Sequence, residues 1–314
     1  MKPTALLAGA LALSASACVS VQVDATDHLQ TYSGSSTCDE TCLFQLAGRF
    51  MDTMVESYLD GAPLADDIRM TENGVDVVPG EGIWETTLGW SVRHTFVDEV
   101  EGGIGIFGVV SDQDGSEAIV AFRLQEEGGL ITESEGLIVR EGEFPLFNPD
   151  GIPARHQFSA YVPQHRQNTR SELIEIAEGY FEGLANGDPS ALQFHPDCDR
   201  RENGFQTTNN PPRINRSCAD LYPFVYMHSF REPAFPVVDT ELGLVLGVTA
   251  FDMPEQELTI DIRGRPFHIN PETRRLPRTL FLYELFKVDN GQIIVIDAVL
   301  MNQPFGTAMN WGER

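Results

Sequence analysis

Asp297 shares a strand face, by period-two alternation, with Ile293, Val295 and Val299. A carboxyl surrounded by branched apolar side chains holds its proton to higher pH, which makes Asp297 a candidate general acid or base. His228 is its candidate partner, because imidazole exchanges protons near neutral pH. The densest polar group in the chain is Arg200-Arg201-Glu202-Asn203, followed by Thr207-Thr208-Asn209. Guanidinium, amide and hydroxyl donors held close together suit an oxygen-rich ligand. Arg201, Glu202, Asn203, Thr207 and Thr208 are therefore candidate substrate-binding residues, with Glu284 and Arg231. Arg263 and Arg265 add cationic charge to the same half. The alternative is a satisfied polar knot that closes the fold where apolar core is scarce.

The first half offers a second set. Ile131, Glu133, Glu135 and Leu137 alternate onto one face, and Arg123 lies on the neighbouring strand. Carboxylates on an apolar face must be hydrated, paired or functional. Glu72 and His94 complete the candidates of this half, which the same reasoning also allows to be structural.

The elements that position these residues occur twice. Glu72-Asn73-Gly74 and Glu202-Asn203-Gly204 each follow an amphipathic helix and precede an aromatic, β-patterned stretch. A repeat this long means duplicated domains rather than a solenoid. In the first helix Leu43, Leu46, Ala47, Phe50 and Met54 form one apolar stripe; in the second Leu173, Ile176, Ala177, Tyr180, Phe181 and Leu184 do so. Both stripes read as core. His94-Thr95-Phe96 and His228-Ser229-Phe230 correspond, and each copy ends in a hairpin, turning at Gly128-Gly129 and at Asn290-Gly291. In the tripeptide, the glycine is expected to supply a positive-φ turn and the asparagine to cap it. Each unit is thus α+β: a helix packed on a curved antiparallel sheet. The expected organisation is 38–143 and 165–314 as domains, with proline-rich 144–164 as linker and Met253–Arg278 as a loop or flap.

The first 18 residues carry a basic start, the apolar run Ala5–Leu13 and small residues before Cys18. That describes a secretory signal, too short to span a bilayer. A Cys directly after small residues resembles a bacterial lipobox, with Cys18 as the lipidated residue; the alternative is ordinary cleavage near Ala17. Residues 19–37 read as a polar tether. The expected place is the periplasm or cell surface, anchored at the outer membrane. The other four cysteines pair locally as Cys38–Cys42 and Cys198–Cys218, as suits an exported protein. With Lys+Arg 21 against Asp+Glu 47, the formal charge of −26 repels nucleic acid and anionic lipid headgroups. A membrane is then met only through the lipid anchor.

Cys198-x-Arg200-x-Glu202-Asn203-Gly204-x-x-Thr207-Thr208-Asn209, then Cys218, Glu284-Leu285-Phe286-Lys287 and Trp311, resemble an uncharacterised family of secreted proteins with two tandem nuclear transport factor 2-like domains. The resemblance implies cone-shaped α+β domains of the SnoaL-like kind, each with a pocket on its concave face. That superfamily includes isomerases, dehydratases, cyclases and hydrolases as well as plain binding modules. Sequence signatures of nucleotide, phosphate, metal-hydrolase and serine-hydrolase sites are missing, so neither a metal nor an organic cofactor is expected. Two functions follow: a cofactor-free lyase, isomerase or hydrolase acting on a small oxygenated molecule through Asp297 and His228, or a lipoprotein that binds a ligand or partner without turnover. The second half, with its fuller polar cluster, is the expected site.

Overall fold

The computed structural model describes residues 38–152, 155–211, 213–214, 216–221, 224, 227, 230–255, 258–262, 264–274 and 276–309. The signal, the tether, Cys18, His228, Arg263 and Trp311 lie outside the described residues, and so does the side chain of Arg265.

In the first half α1 (Glu40–Glu56) is followed by β1 (Leu64–Glu72), β2 (Val75–Asp76), α2 (Ile83–Thr86), β3 (Thr87–Asp98), β4 (Gly103–Asp112), β5 (Glu117–Glu127) and β6 (Leu130–Arg140). The joining segment holds α3 (His156–Ser159). The second half runs α4 (Arg170–Asn186), β7 (Phe194–Glu202), β8 (Phe205–Gln206), β9 (Ala234–Asp239) and β10 (Leu244–Met253). It continues with β11 (Leu258–Ile262), β12 (Arg265–Ile269), α5 (Pro271–Arg274), β13 (Arg278–Asp289) and β14 (Gln292–Gln303). Among the described residues, the strands form two six-stranded sheets, β2-β1-β6-β5-β4-β3 and β8-β7-β14-β13-β10-β9, and the hairpin β11-β12. The expected flap is therefore a β-hairpin followed by one helical turn.

The two halves are tandem cones of the same topology, as the resemblance implies. The sheets are mixed rather than wholly antiparallel, because β1 lies parallel to β6 and β7 parallel to β14. Parallel neighbours need a long connection. Here the intervening strands supply it, since the strand after the helix returns beside the last strand of its own sheet.

Both helices begin and end as their sequences dictate. Asp39 accepts from the Cys42 amide at 2.9 Å to cap α1, and Thr169 with Glu172 forms a capping box on α4. Gly187, at φ 64°, ends α4. The apolar stripe of α1 is buried as expected, and so is that of α4 apart from the partly buried Ile176.

Each Glu-Asn-Gly is a two-residue hairpin turn with both central residues at positive φ: Asn73 at 52° and Gly74 at 80°, Asn203 at 44° and Gly204 at 80°. The asparagine does more than cap. Asn73 exchanges two hydrogen bonds with the Ile138 backbone (2.9 and 3.1 Å), and Asn203 does the same with Leu300 (2.9 and 3.0 Å). Each side chain imitates one more residue of ladder beside the last strand, which gives both copies a structural reason to keep it.

The faces of the two sheets that point away from their helices pack on each other. Phe107, Val109, Ala121 and Leu137 of the first meet Leu246, Val248, Phe281 and Leu285 of the second, with Phe158 of α3 in the same core. Polar bonds cross the seam. The Tyr283 hydroxyl donates to Glu135 at 2.7 Å, and the Val238 amide donates to Asp98 at 3.0 Å. Glu135 also takes Arg123 Nε at 2.7 Å, and Glu133 lies 3.7 Å from Arg123 Nη1. These three charged residues, read as lining a pocket, instead form a buried network between sheets. The expected face also needs one correction. Ile131 belongs to the helix-side core, because the pairing of β6 slips near Thr132 and turns it away from Glu133. Replacement of Tyr283 by Phe is expected to cost about 1–3 kcal/mol, because it takes one of the hydrogen bonds of the buried Glu135 carboxylate. Urea unfolding measures it, and an unchanged midpoint would remove the seam network from the account of stability.

Candidate functional site

β7 divides its side chains by parity. Cys198, Arg200 and Glu202 point toward α4, while Asp199, Arg201 and Asn203 point toward the other sheet or the joining segment. The Cys198–Cys218 disulfide forms as expected and is fully buried, which fixes the start of the strand. Cys38–Cys42 forms likewise and ties the residue before the α1 cap to the first turn of the helix.

On the helix side of the second sheet lies a cavity of about 60 Å³. Its apolar wall is Phe144, Leu184, Phe224, Met227, Leu280, Leu282 and Leu300. Its polar lining comes from three elements: Tyr180 of α4, Arg200 and Glu202 of β7, and Glu284 of β13. Tyr180, Arg200 and Glu284 are 0%, 1% and 3% exposed. Arg200 Nη1 donates to the Tyr180 hydroxyl at 3.0 Å and Nε to Thr207 at 3.2 Å, with Glu202 Oε1 3.1 Å from the same Nε. Thr207 in turn donates to Glu202 at 3.1 Å, and the guanidinium stacks over Phe224 at 4.5 Å from the ring centroid.

Arg200 Nη2 and Glu284 Oε2 are buried without a hydrogen bond among the described residues. An orphaned donor and an orphaned carboxyl oxygen in one cavity cost free energy that a bound oxygen would return. Burial pushes the Glu284 carboxyl up to about 8, although Arg200 pulls it down, so it is neutral at pH 7. Burial likewise raises the Tyr180 hydroxyl, with Arg200 acting against it. For Arg200 burial works to lower the pKa, but Tyr180 and Glu202 outweigh it and hold the cation above its ordinary value.

The first cone shows what this space holds without the cluster. At the same place in its helix stands Phe50, and the equivalent strand positions carry Met70 and Phe122 in place of Arg200 and Glu284. All three are buried, and Phe50 meets Trp84 and Phe122 edge to face at 5.1 and 5.6 Å. Phe, Met and Phe in one copy against Tyr, Arg and Glu in the other confine the buried polar cavity to the second cone.

The structure thus brings Glu202, Thr207 and Glu284 together around this cavity, whose lining holds none of the other described candidates. Asp297 lies on the far side of the sheet, ion-paired with Arg155, with Asp199 2.5 Å from the same guanidinium. Burial still raises it to about 6. The cavity beside it holds about 10 Å³, room for about one water. Arg201 donates to the Gly151 carbonyl at 2.9 Å, and Thr208 accepts from the Arg200 amide at 2.8 Å. Arg231 forms a two-point pair with Asp252, both bonds 2.8 Å. In the first cone, Glu72 accepts from the Ile83 amide at 2.9 Å and burial raises its carboxyl. His94 packs on Phe96 and Phe158, and burial lowers it to about 4. Among the described residues no group of three or more His, Cys, Asp or Glu could hold a metal ion.

Sequence reasoning passed over Tyr180, read as core, and preferred Arg201 to its neighbour Arg200. Two signals point to them. The buried Cys198 sets the parity of β7, and alignment of the copies sets Tyr180, Arg200 and Glu284 against Phe50, Met70 and Phe122.

Residues 166–300 match the family described as Domain of unknown function (DUF8021). No curated protein matches the chain. Among solved structures, a Kribbella flavida protein provisionally assigned as a ketosteroid isomerase is similar at 14% identity, covering 38% of this chain and 93% of its own, with a TM-score of 0.29. A de novo designed protein with a curved β-sheet gives 13% identity, 34% and 91% coverage and a TM-score of 0.28. BvnE pinacolase from Penicillium brevicompactum gives 14%, 34%, 88% and 0.25.

Proposed function

We propose that the second cone binds a small, largely apolar molecule by one neutral oxygen, a carbonyl or hydroxyl, and moves a proton on it without a cofactor. The observation that carries this reading is the pair of orphaned atoms, Arg200 Nη2 and Glu284 Oε2, in one apolar cavity. Arg200 and Glu202 cancel in charge and Glu284 is neutral, so the cavity favours an uncharged head over a carboxylate or phosphate. A protonated Glu284 and Arg200 are two donors for one oxygen, and they stabilise negative charge that develops there. Glu202, half-buried at the edge and already ion-paired, is the ionised carboxylate that accepts the proton. Asp297 and His228 have no part in this reading.

Retention without turnover is the second reading, favoured by a volume of about 60 Å³ that admits a head group rather than a whole substrate. Acetophenone and cyclohexanone, with cyclohexanecarboxylate as the charged control, separate the two. Binding followed by protein NMR, together with faster deuterium exchange at the carbon next to the carbonyl, supports catalysis if Glu202→Gln abolishes the exchange. Binding without exchange leaves retention, and tighter binding of the carboxylate overturns the neutral-head reading.

Export with a lipid on Cys18 is part of the same proposal. The lipobox-like sequence supports it, and two disulfides accord with an oxidising compartment. No helix among the described residues is long and apolar enough to cross a membrane. In a bacterial host, Cys18→Ser is expected to move the protein from the membrane to the soluble fraction. A wild-type chain that is itself soluble and carries no lipid would exclude the anchor.

A further inference from the structure

Strand β7 serves two structures at once. The face with Arg200 and Glu202 lines the cavity, and the opposite face grips the segment between the sheets. Asn203 Nδ2 donates to the Leu146 carbonyl at 3.1 Å, and the Asn148 amide donates to the Asn203 carbonyl at 3.0 Å. Asn148 Nδ2 reaches the Gly204 carbonyl at 3.0 Å. Further along, Arg201 holds the Gly151 carbonyl at 2.9 Å, and Arg155 is buried between Asp199 and Asp297. Gly151 and Gly204 meet backbone to backbone: a Cβ on Gly151 would lie 1.9 Å from the Gly204 carbonyl oxygen. Leu146, Asn148, Gly151 and Arg155 are each held in this way.

The start of the same segment is held differently. Gly142, at φ 87°, has open space around it, and among the described residues the backbone of Phe144 makes no bond of the kind that fixes Leu146 and Asn148. Yet the Phe144 ring lines the cavity and packs on its apolar wall. Among the described residues of the lining, Phe144, Glu202 and Phe224 are the partly exposed ones, which puts the mouth of the cavity beside these three.

We propose that residues 144–152 form a strap whose Phe144 closes the mouth of the second cone's cavity and is latched by the back face of β7, with Arg155 as a further anchor. The proposal rests on that cavity as the ligand site and deepens it. Phe144 becomes the wall that decides how long a ligand tail the mouth admits. The anchors at Asn203, Arg201 and Arg155 keep the ring in place, so the connection between the two cones governs access to one of them.

The test reads access without any ligand, so it fails independently of the binding reading. Leu184→Cys places a thiol on the cavity wall of the full chain, and iodoacetamide is the probe; the parent chain is the blank for Cys18. Adding Phe144→Ala is expected to raise the alkylation rate at least about tenfold, with a rise of the same order from Arg155→Gln. Urea dependence of the rate distinguishes local opening, which is shallow, from global unfolding. A rate unchanged by Phe144→Ala, or one that follows global unfolding in every variant, overturns the strap. If Arg155→Gln does not fold, Phe144→Ala alone decides.

Discussion

Arg200→Met is expected to destabilise the second cone by about 2–4 kcal/mol and to abolish binding of a carbonyl head group. The residue is 1% exposed and supports Tyr180, Thr207 and Glu202 at once. Its removal leaves the Tyr180 hydroxyl buried without its donor and Glu202 without its cation. Glu202 is partly exposed and recovers some hydration, which keeps the cost below that of a fully enclosed pair. The first cone supplies the control, because its equivalents are Phe50, Met70 and Phe122. A triple variant, Tyr180→Phe with Arg200→Met and Glu284→Met, removes all three stranded polar groups together. It is expected to recover most or all of the lost stability while remaining inert toward ligand, since apolar replacement of a whole buried polar cluster is often neutral or stabilising. Urea unfolding and acetophenone titration of both variants check this. A triple variant no more stable than Arg200→Met would mean that the cluster supports the fold rather than burdening it for function.

Glu284→Gln is expected to remove the fall of stability between pH 6.5 and 8. The folded carboxyl sits at about 8 against an ordinary value of 4.5, because burial penalises its charge. Between those values the folded chain keeps a proton that the unfolded chain has released, so stability falls as pH rises through the window. The slope is about 1.4 kcal/mol per pH unit, or roughly 2 kcal/mol from pH 6.5 to 8. Two other groups reach into the ends of this interval and offset part of the fall: unfolded His94 still binds protons near pH 6.5, and folded Lys287 is already losing its own near pH 8. Asp297, raised to about 6, adds to the fall at more acid pH, whereas His94, lowered to about 4, opposes it below its ordinary 6.5. Above pH 8 Lys287 runs the other way, because burial lowers it to about 8 and the unfolded chain binds the extra proton. Urea midpoints of the wild type and of Glu284→Gln at pH 6.5 and 8 decide: the same pH dependence in both would show that Glu284 is already ionised. Ligand binding by the wild type is expected to weaken as pH passes 8, when Glu284 ceases to donate. Glu284→Gln keeps a donor, so it is expected to bind across the range.

Local chemistry made much of this protein legible in advance. The apolar stripes of α1 and α4, the Gly-Gly and Asn-Gly hairpins and both disulfides depend on near neighbours in sequence, and each forms where its residues place it. The repeat of Glu-Asn-Gly gave the registration of the two halves, and the structure supplies the reason in the turn and in the asparagine that extends the ladder. Parity along the last strands was not legible. Ile131 and Ile293 lie in the helix-side cores, while Glu135 and Asp297 face the seam, because the pairing slips by a residue near Thr132 and near Ile294. Asp297 does meet an arginine, and that arginine comes from a segment whose sequence reads only as a proline-rich linker.

By itself the sequence determined two copies of a helix and a β-sheet, their turns, their staples and the half in which polar residues gather. The tertiary structure decided which face of each sheet is a pocket and which is a seam. The physical reason is visible in β4: Ile104, Ile106 and Val110 point to one side, Phe107 and Val109 to the other, and both sides are buried. A strand apolar on both faces carries no mark of which one meets its own helix. Only the packing of one sheet on the other assigned Asp297 and Glu135 to the seam, and left Tyr180, Arg200 and Glu284 around a cavity lined by orphaned polar atoms of both an arginine and a carboxyl.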